Sequence, residues 1–438
     1  MKRGKLRLLA VIFSAAIVAS ATAFGGCDML LDYLPFDYDI AGGSSEESSH
    51  SHYDSTSSQD STGSSSQSDS SSEGDGSSGT ETEIAEGAKE DIITADFSIH
   101  FLELGNKYTG DCTLIKCGDT EVLIDAGSRQ GSATTLKSYI DQYCTDGVLE
   151  YVIVTHSDQD HIAGFYGNKS GDTRTGIFYQ YEIETIIMYN NSNATSQIAP
   201  NVESAISSLS ANGTTVYTAS QCYDEEGDAK RQYYLDDEQT VSMNILYSYY
   251  YYNESDDNNN HSVVMLLTQE TADGNLNYLF TGDLEEDGES RMVDYYADST
   301  NSKSEYDVLP KVELYKAGHH GSKTSSTAKL LAVIQPKNIA VCCCCGSPEY
   351  TTNNDNTFPT QTMITNASKY TENIYVTTLA DIEDFENKKY SYTSMNGNIV
   401  FYYSKSEDEE EASLKLWCSN NTTKLKDTEW FKENRTWG

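Results

Sequence analysis

The alternation of apolar and polar residues changes character three times along the chain. Leu8 to Phe24 is an unbroken apolar-rich stretch of 17 residues behind Lys2, Arg3, Lys5 and Arg7. Residues 28–88 contain no Lys or Arg and carry 14 acids, and residues 44–80 are about half Ser. That composition cannot bury enough apolar area to offset the entropy of ordering it. From residue 91 onwards, short β-branched and aromatic runs alternate with turn residues. The runs predict strands at Phe97–Leu104, Cys112–Cys117, Glu121–Asp125, Tyr151–Thr155, Ile183–Tyr189, Ser242–Tyr247, Ser262–Thr268, Leu276–Phe280, Lys311–Lys316 and Ile339–Cys345. Helical spacing places Leu136, Ile140 and Tyr143 on one face of a helix over Thr134–Tyr143, and a second helix is predicted over Thr327–Ile334. Many strands with few helices predict an α+β or α/β sandwich, and no repeat of 20–50 residues is present.

The apolar start is too short for a membrane span with stop-transfer flanks and reads as a signal peptide over residues 1–26. It ends in Phe24-Gly25-Gly26-Cys27, which resembles a bacterial lipobox. The resemblance implies lipidation of Cys27 and an anchor on the outer face of the cytoplasmic membrane, with secretion as the alternative. Residues 27–90 then form an acidic tether, 91–403 the domain and 404–438 a C-terminal extension. His50 and His52 in the tether are read as solvated.

Charge narrows the function classes. The 438 residues hold 68 acids and 29 bases, a formal net charge of -39. A general nucleic-acid coat or a binder of anionic membranes needs a positive field, which this chain lacks. One locally basic site stays open, because residues 303–340 hold six Lys and three acids. The ten cysteines include no CxxC pair outside Cys342–Cys345, so a zinc ribbon or disulfide scaffold is excluded. Adjacent strand residues face opposite sides, so those four cysteines cannot converge on one ion and are read as core. His100 is expected to be structural, and Tyr249–Tyr252 to form an aromatic surface loop.

Three segments carry chemistry. Thr155-His156-Ser157-Asp158-Gln159-Asp160-His161 follows a hydrophobic strand and packs two imidazoles and two carboxylates into six residues. Such a set suits Zn²⁺, Mn²⁺ or Fe²⁺. Phe280-Thr281-Gly282-Asp283 runs a strand into a glycine turn and a carboxylate. Lys316-Ala317-Gly318-His319-His320-Gly321-Ser322-Lys323-Thr324-Ser325 ends a third strand in imidazoles, hydroxyls and a lysine. Ser322 or Ser325 could equally cap a helix.

Taken in order, these segments resemble the metallo-β-lactamase fold, an αββα sandwich of two mixed sheets flanked by helices. More narrowly they resemble the C-terminal hydrolase domain of ComEC-type DNA-internalisation proteins, where an Asp also stands at the position of Asp158. Phe101-Leu102-Glu103-Leu104-Gly105, Val122-Leu123-Ile124-Asp125-Ala126-Gly127 and Met395-Asn396-Gly397-Asn398-Ile399 extend the likeness over about residues 97–403, with inserts near 168–180, 223–236, 250–260 and 380–392. The resemblance implies two divalent ions, zinc first. His156 and Asp158 would hold one ion, with His261 near the place of a third ligand. Asp160, His161 and His319 would hold the other, and Asp283 would bridge. Asp160 would also orient the nucleophile. His320 and Lys323 would act on the substrate, with Ser322, Lys323 and Ser325 meeting its anionic group. Phe358-Pro359 stands where the family carries a late His-Pro.

The function expected is hydrolysis of phosphodiesters, extracellular DNA among them. Hydrolysis of a lactone, amide or small phosphate ester, and a non-catalytic binding lipoprotein, are the alternatives. No obligate protein partner is expected.

Overall fold

The computed structural model describes residues 84–301, 309–404 and 412–438. The expected signal peptide, Cys27 and nearly all of the expected tether lie outside the described residues.

Alternation along the strands builds the layers. In Thr113–Cys117, Leu114 faces one side and Ile115 the other; in Thr120–Ile124, Leu123 opposes Val122 and Ile124. In Met265–Thr271, Leu266 opposes Met265 and Leu267. Both faces of these strands are apolar, so each sheet must be covered on both sides. Among the described residues, one sheet has nine strands in the order Ala85–Glu86, Ser413–Cys418, Ile399–Ser404, Phe97–Phe101, Thr113–Cys117, Thr120–Ile124, Val148–Val154, Glu182–Met188 and Thr215–Thr218. A second has eight, in the order Gln232–Tyr234, Val241–Ile245, Met265–Thr271, Gly274–Phe280, Leu314–Lys316, Asn338–Cys345, Ile374–Asp384 and Lys389–Ser394. Phe101, Ile115, Ile124 and Ile153 of the first sheet meet Met243, Met265, Phe280 and Cys342 of the second in a shared inner core. The helices Ser132–Ile140, Gln159–Tyr166 and Ile198–Ala211 cover the outer face of the first sheet. Glu286–Ala297, Ala328–Ile334 and Gln361–Ala367 cover that of the second. The result is the four-layer αββα sandwich.

Parallel pairing in each sheet's middle sends several strand ends to one edge. Thr120–Ile124, Val148–Val154 and Glu182–Met188 run parallel, as do Gly274–Phe280, Leu314–Lys316 and Asn338–Cys345. All three chemistry-bearing segments leave strands of this kind. Predicted strand positions recur, but their ends move where the chain turns into the site. The strand predicted from Ser262 begins at Met265, and Val263 instead donates its N–H to the Thr155 carbonyl.

Two expectations are corrected. Within the expected extension 404–438, the described residues 412–438 are built into the fold rather than appended. Ser413–Cys418 pairs with Ile399–Ser404, and the Arg435 guanidinium donates to the carbonyls of Pro359 and Thr357. Tyr249–Tyr252 is no plain surface loop either. Tyr250 and Tyr251 are buried, and the Tyr251 hydroxyl accepts the Val264 N–H. Cys342–Cys345 are all buried free thiols, with Cys342 on the inner face of its strand and Cys343 and Cys345 on the outer. His100 is buried against Ser98 and Tyr139.

Candidate metal centre

Each strand end places its polar residues by a local device. Val148–Val154 runs out through Thr155 and His156, and the helix Gln159–Tyr166 starts directly after Asp158, which puts Asp160 and His161 on its first turn. Gly282 turns the second segment at φ +55, and a Cβ there would stand 2.8 Å from Ser262 Oγ. Only glycine suits that turn. The third segment turns through His319 and His320, both left-handed at φ 44 and 54. Two adjacent non-glycine residues in that region cost about 1–3 kcal/mol each.

These turns bring side chains from three segments to one point. His161 Nε2 lies 3.1 Å from Asp283 Oδ2 and 3.3 Å from His320 Nε2. His320 Nε2 lies 3.2 Å from Asp283 Oδ2 and 3.4 Å from Asp160 Oδ2. Both rings are held from behind: His161 Nδ1 pairs with Asp125 Oδ2 at 2.7 Å, and His320 Nδ1 with the Cys342 carbonyl at 2.9 Å. Asp125 is itself fixed by the Thr155 N–H and hydroxyl. Asp111 completes the buried group, and the Lys316 ammonium is wedged between Asp111 and Asp283. His156 is fully buried beside His161, and its Nε2 has no hydrogen-bond partner. The nearest charged oxygen is Asp158 Oδ2, at 3.7 Å.

The electrostatics are those of a site short of positive charge. Five carboxylates (Asp111, Asp125, Asp158, Asp160 and Asp283) gather around one ammonium. Burial disfavours charge on His161 and His320, yet Asp283 and its neighbours hold both rings protonated well above the ordinary histidine range. Burial also works against the Asp283 carboxylate, but His161, His320 and Lys316 keep it far below the usual carboxylate range. Asp158 is pushed up to about 6 by burial and by Asp160, which outweigh the pull of His161. His156 is driven down to about 3 by burial and by His161.

Divalent metal fits this donor set. Imidazole nitrogens and carboxylate oxygens are its ligands, and four donors about 2.0–2.1 Å from one centre stand about 3.3 Å apart at tetrahedral corners. His161, His320 and Asp283 have that spacing, and Asp160 Oδ2 stands 3.4 Å from His320 Nε2. An uncharged, buried imidazole nitrogen without a partner, as in His156, is a ligand-ready donor.

Residues 105–167 match a family model described as "Metallo-beta-lactamase superfamily". The protein has the metallo-β-lactamase fold. Solved structures with some similarity carry the same designation. The metallo-β-lactamase fold protein YhfI from Bacillus subtilis is 12% identical, covering 65% of this chain and 97% of that one, with a TM-score of 0.32. A Cronobacter sakazakii metallo-β-lactamase with a HARLDQ motif is 17% identical over 42% of this chain and 60% of its own, with a TM-score of 0.24. A putative metallo-β-lactamase from Thermotoga maritima is 15% identical over 46% and 76%, with a TM-score of 0.22. No curated protein matches the chain.

Within this metallo-β-lactamase fold, the structure brings His156, Asp158, Asp160, His161 and Asp283 together and redistributes other expected roles. His320, expected to act on substrate, is fully buried among the carboxylates. His319, expected as the ligand, instead lines the cleft, with Nδ1 on Glu285 at 2.8 Å and Nε2 3.9 Å from Asp283 Oδ2. The left-handed turn at 319–320 decides which ring points inward. Lys323, expected as catalytic and substrate-binding, is exposed and donates to Asn356. Ser322 bonds Thr324 in a local turn, and the Ser325 hydroxyl donates to the Leu284 carbonyl. Both hydroxyls have partners within the protein. His261 is buried edge-on to Tyr250, and its segment reaches the centre through Asn258 and Ser262.

Other groups at the site carried no motif. A cleft of about 350 Å³ opens over Asp158, Asp160, Asp283 and His319, and Arg129, Glu349 and Tyr350 line its far wall. Arg129 stacks on Tyr108 at 3.8 Å and pairs with Glu349 at 3.0 Å, while the Tyr350 hydroxyl donates to Asp160 Oδ2 at 2.7 Å. Asp111 and Lys316 were also unassigned. Lys316, directly before Ala317-Gly318-His319-His320, was the one with a readable signal: a cation at the end of the strand that opens the third segment.

Proposed function

We propose that the protein is a metal-dependent hydrolase with two divalent ions, zinc first, anchored outside the cytoplasmic membrane through Cys27. The observation that carries this reading is the buried His156 Nε2, without a partner, next to a carboxylate-rich cluster with one ammonium. Asp160, His161, His320 and Asp283 would hold one ion, and His156 and Asp158, with Asp283 between, the other. Two such cations would cancel the surplus charge, stabilise negative charge developing on a substrate and ease ionisation of water.

The chain's own residues supply the rest. Asp283 is held charged by His161, His320 and Lys316. Asp125 and the Cys342 carbonyl orient the two imidazoles, so their Nε2 atoms stay on target. Tyr350 holds Asp160, and Arg129 offers the cleft a guanidinium for an anionic oxygen.

The substrate class proposed is a phosphodiester, in keeping with the likeness to ComEC-type hydrolase domains. A second reading, a lactone, amide or small phosphate ester, is favoured by the acids beside the cleft. Asp256 and Asp257 continue from Asp158, and Glu285, Glu286 and Asp287 adjoin Asp257. These repel a long polyanion. Elemental analysis of the purified protein, with a chromogenic phosphodiester, DNA and a lactone as substrates, tests the proposal. Two metal ions per chain are expected, and Asp283→Asn should lower turnover at least about 100-fold. Fewer than one ion per chain under zinc-replete conditions would overturn it.

A further inference from the structure

Asp158 stands alone in one respect: it is the most exposed of the five carboxylates of the centre, at 36%. Its orientation rests on one side chain. Asn258 donates from Nδ2 to Asp158 Oδ1 at 2.9 Å. That leaves Oδ2 as the oxygen facing the partnerless His156 Nε2.

The asparagine cannot turn over. Its Oδ1 accepts from the Ser157 hydroxyl and from the Asn193 N–H, each at 3.1 Å. A flipped amide would set its NH₂ against both donors and its oxygen against a carboxylate. The support extends further, because Asn193 donates from Nδ2 to the carbonyls of Ser255 and Asp256, at 3.0 and 2.8 Å. Asn258 is buried in the short turn Asn258–His261, inside the insert near 250–260. The insert, the 190–196 loop and the His156–His161 segment are thus joined through one amide.

We propose that Asn258 is the positioning residue for Asp158. It fixes the oxygen that faces His156 and sets the affinity of the metal position those two residues share. This rests on the two-ion reading above. It assigns the insert a function: it builds one wall of one metal position and leaves the Asp160–His161–His320 position to the core of the fold.

Zinc alone is the probe. Metal-stripped wild type, Asn258→Asp, Asn258→Ala and Asn193→Ala are titrated against a chromophoric chelator, and urea midpoints of the metal-free proteins are measured alongside. Asn258→Asp keeps the shape but sets a carboxylate against Asp158. In that variant one zinc should bind as in wild type and the other about 10–100-fold more weakly. Asn258→Ala should show the same asymmetry. Asn193→Ala, which keeps the backbone N–H on Asn258 Oδ1 but removes the side-chain bonds to the carbonyls of Ser255 and Asp256, should weaken the same zinc by a smaller factor, and it decides the matter if the Asn258 variants do not fold. Wild-type affinities for both ions in folded variants, or equal weakening of both, would overturn the proposal. A wild type that binds fewer than two zinc ions would instead remove the two-ion reading itself.

Discussion

At the residue scale, the centre is a problem of buried charge. His161 and His320 face Asp283 through Nε2, and their Nδ1 atoms face Asp125 or Asp111. With no metal bound, those carboxylates hold the two rings protonated well above the ordinary histidine range. A metal needs the same nitrogens unprotonated, so binding must expel these protons. Zinc affinity should therefore fall as pH falls and rise steadily from about pH 5 to pH 8. Calorimetry in buffers of different ionisation enthalpy should record more than one proton released per chain at pH 7. Proton release near zero would mean that the imidazoles are not ligands. The same scale explains the exchanged roles of His319 and His320. Two neighbouring histidines are equivalent in a sequence, and only the left-handed turn decides which one is sealed inside.

At the element scale, the third segment is stabilised from outside the centre. Glu289, on the helix Glu286–Ala297, accepts the N–H groups of Ser326 and Thr327 just ahead of the helix Ala328–Ile334. It is fully buried, and burial pushes its carboxyl up to about 7 against those two donors. The folded protein thus binds this proton more tightly than the unfolded chain. Glu289 therefore contributes stability below about pH 4.5 that is lost as pH rises through about 7. Glu289→Gln should flatten that part of the stability–pH curve, measured by urea unfolding between pH 4.5 and 8. The variant should also lose about 1–2 kcal/mol at pH 5, because the amide presents one acceptor oxygen to two N–H groups. An unchanged slope would show that Glu289 does not titrate in this window.

At the scale of the whole molecule, the last 27 residues decide stability more than their place at the chain end suggests. Ser413–Cys418 shields the strand Ile399–Ser404, and Phe431 and Leu425 are buried in the outer core of the second sheet. Deleting residues 405–438 would expose a long apolar strand edge, a template for aggregation. The truncated chain should be largely insoluble on expression, with any soluble fraction melting at least about 5 °C lower. Full solubility and an unchanged melting temperature would mean that the segment is dispensable. Much of this architecture was legible in the chain itself. Runs such as Val152-Ile153-Val154 and Val122-Leu123-Ile124 are apolar on both faces and so demand a covered sheet, and the order of the three motifs named the fold. The segments of the centre were legible for the same reason: a strand's end is a local signal, and so is a tight cluster of imidazoles and carboxylates. Tertiary structure alone decided which atoms meet. Asp111 pairs with His320 across 209 positions, and Arg129 with Glu349 across 220. No local pattern encodes such a pairing, because it depends on how two sheets pack and on one left-handed turn. The sequence carried the periodicity that hides apolar surface; the packed sandwich selected the side chains that share the remaining buried charge.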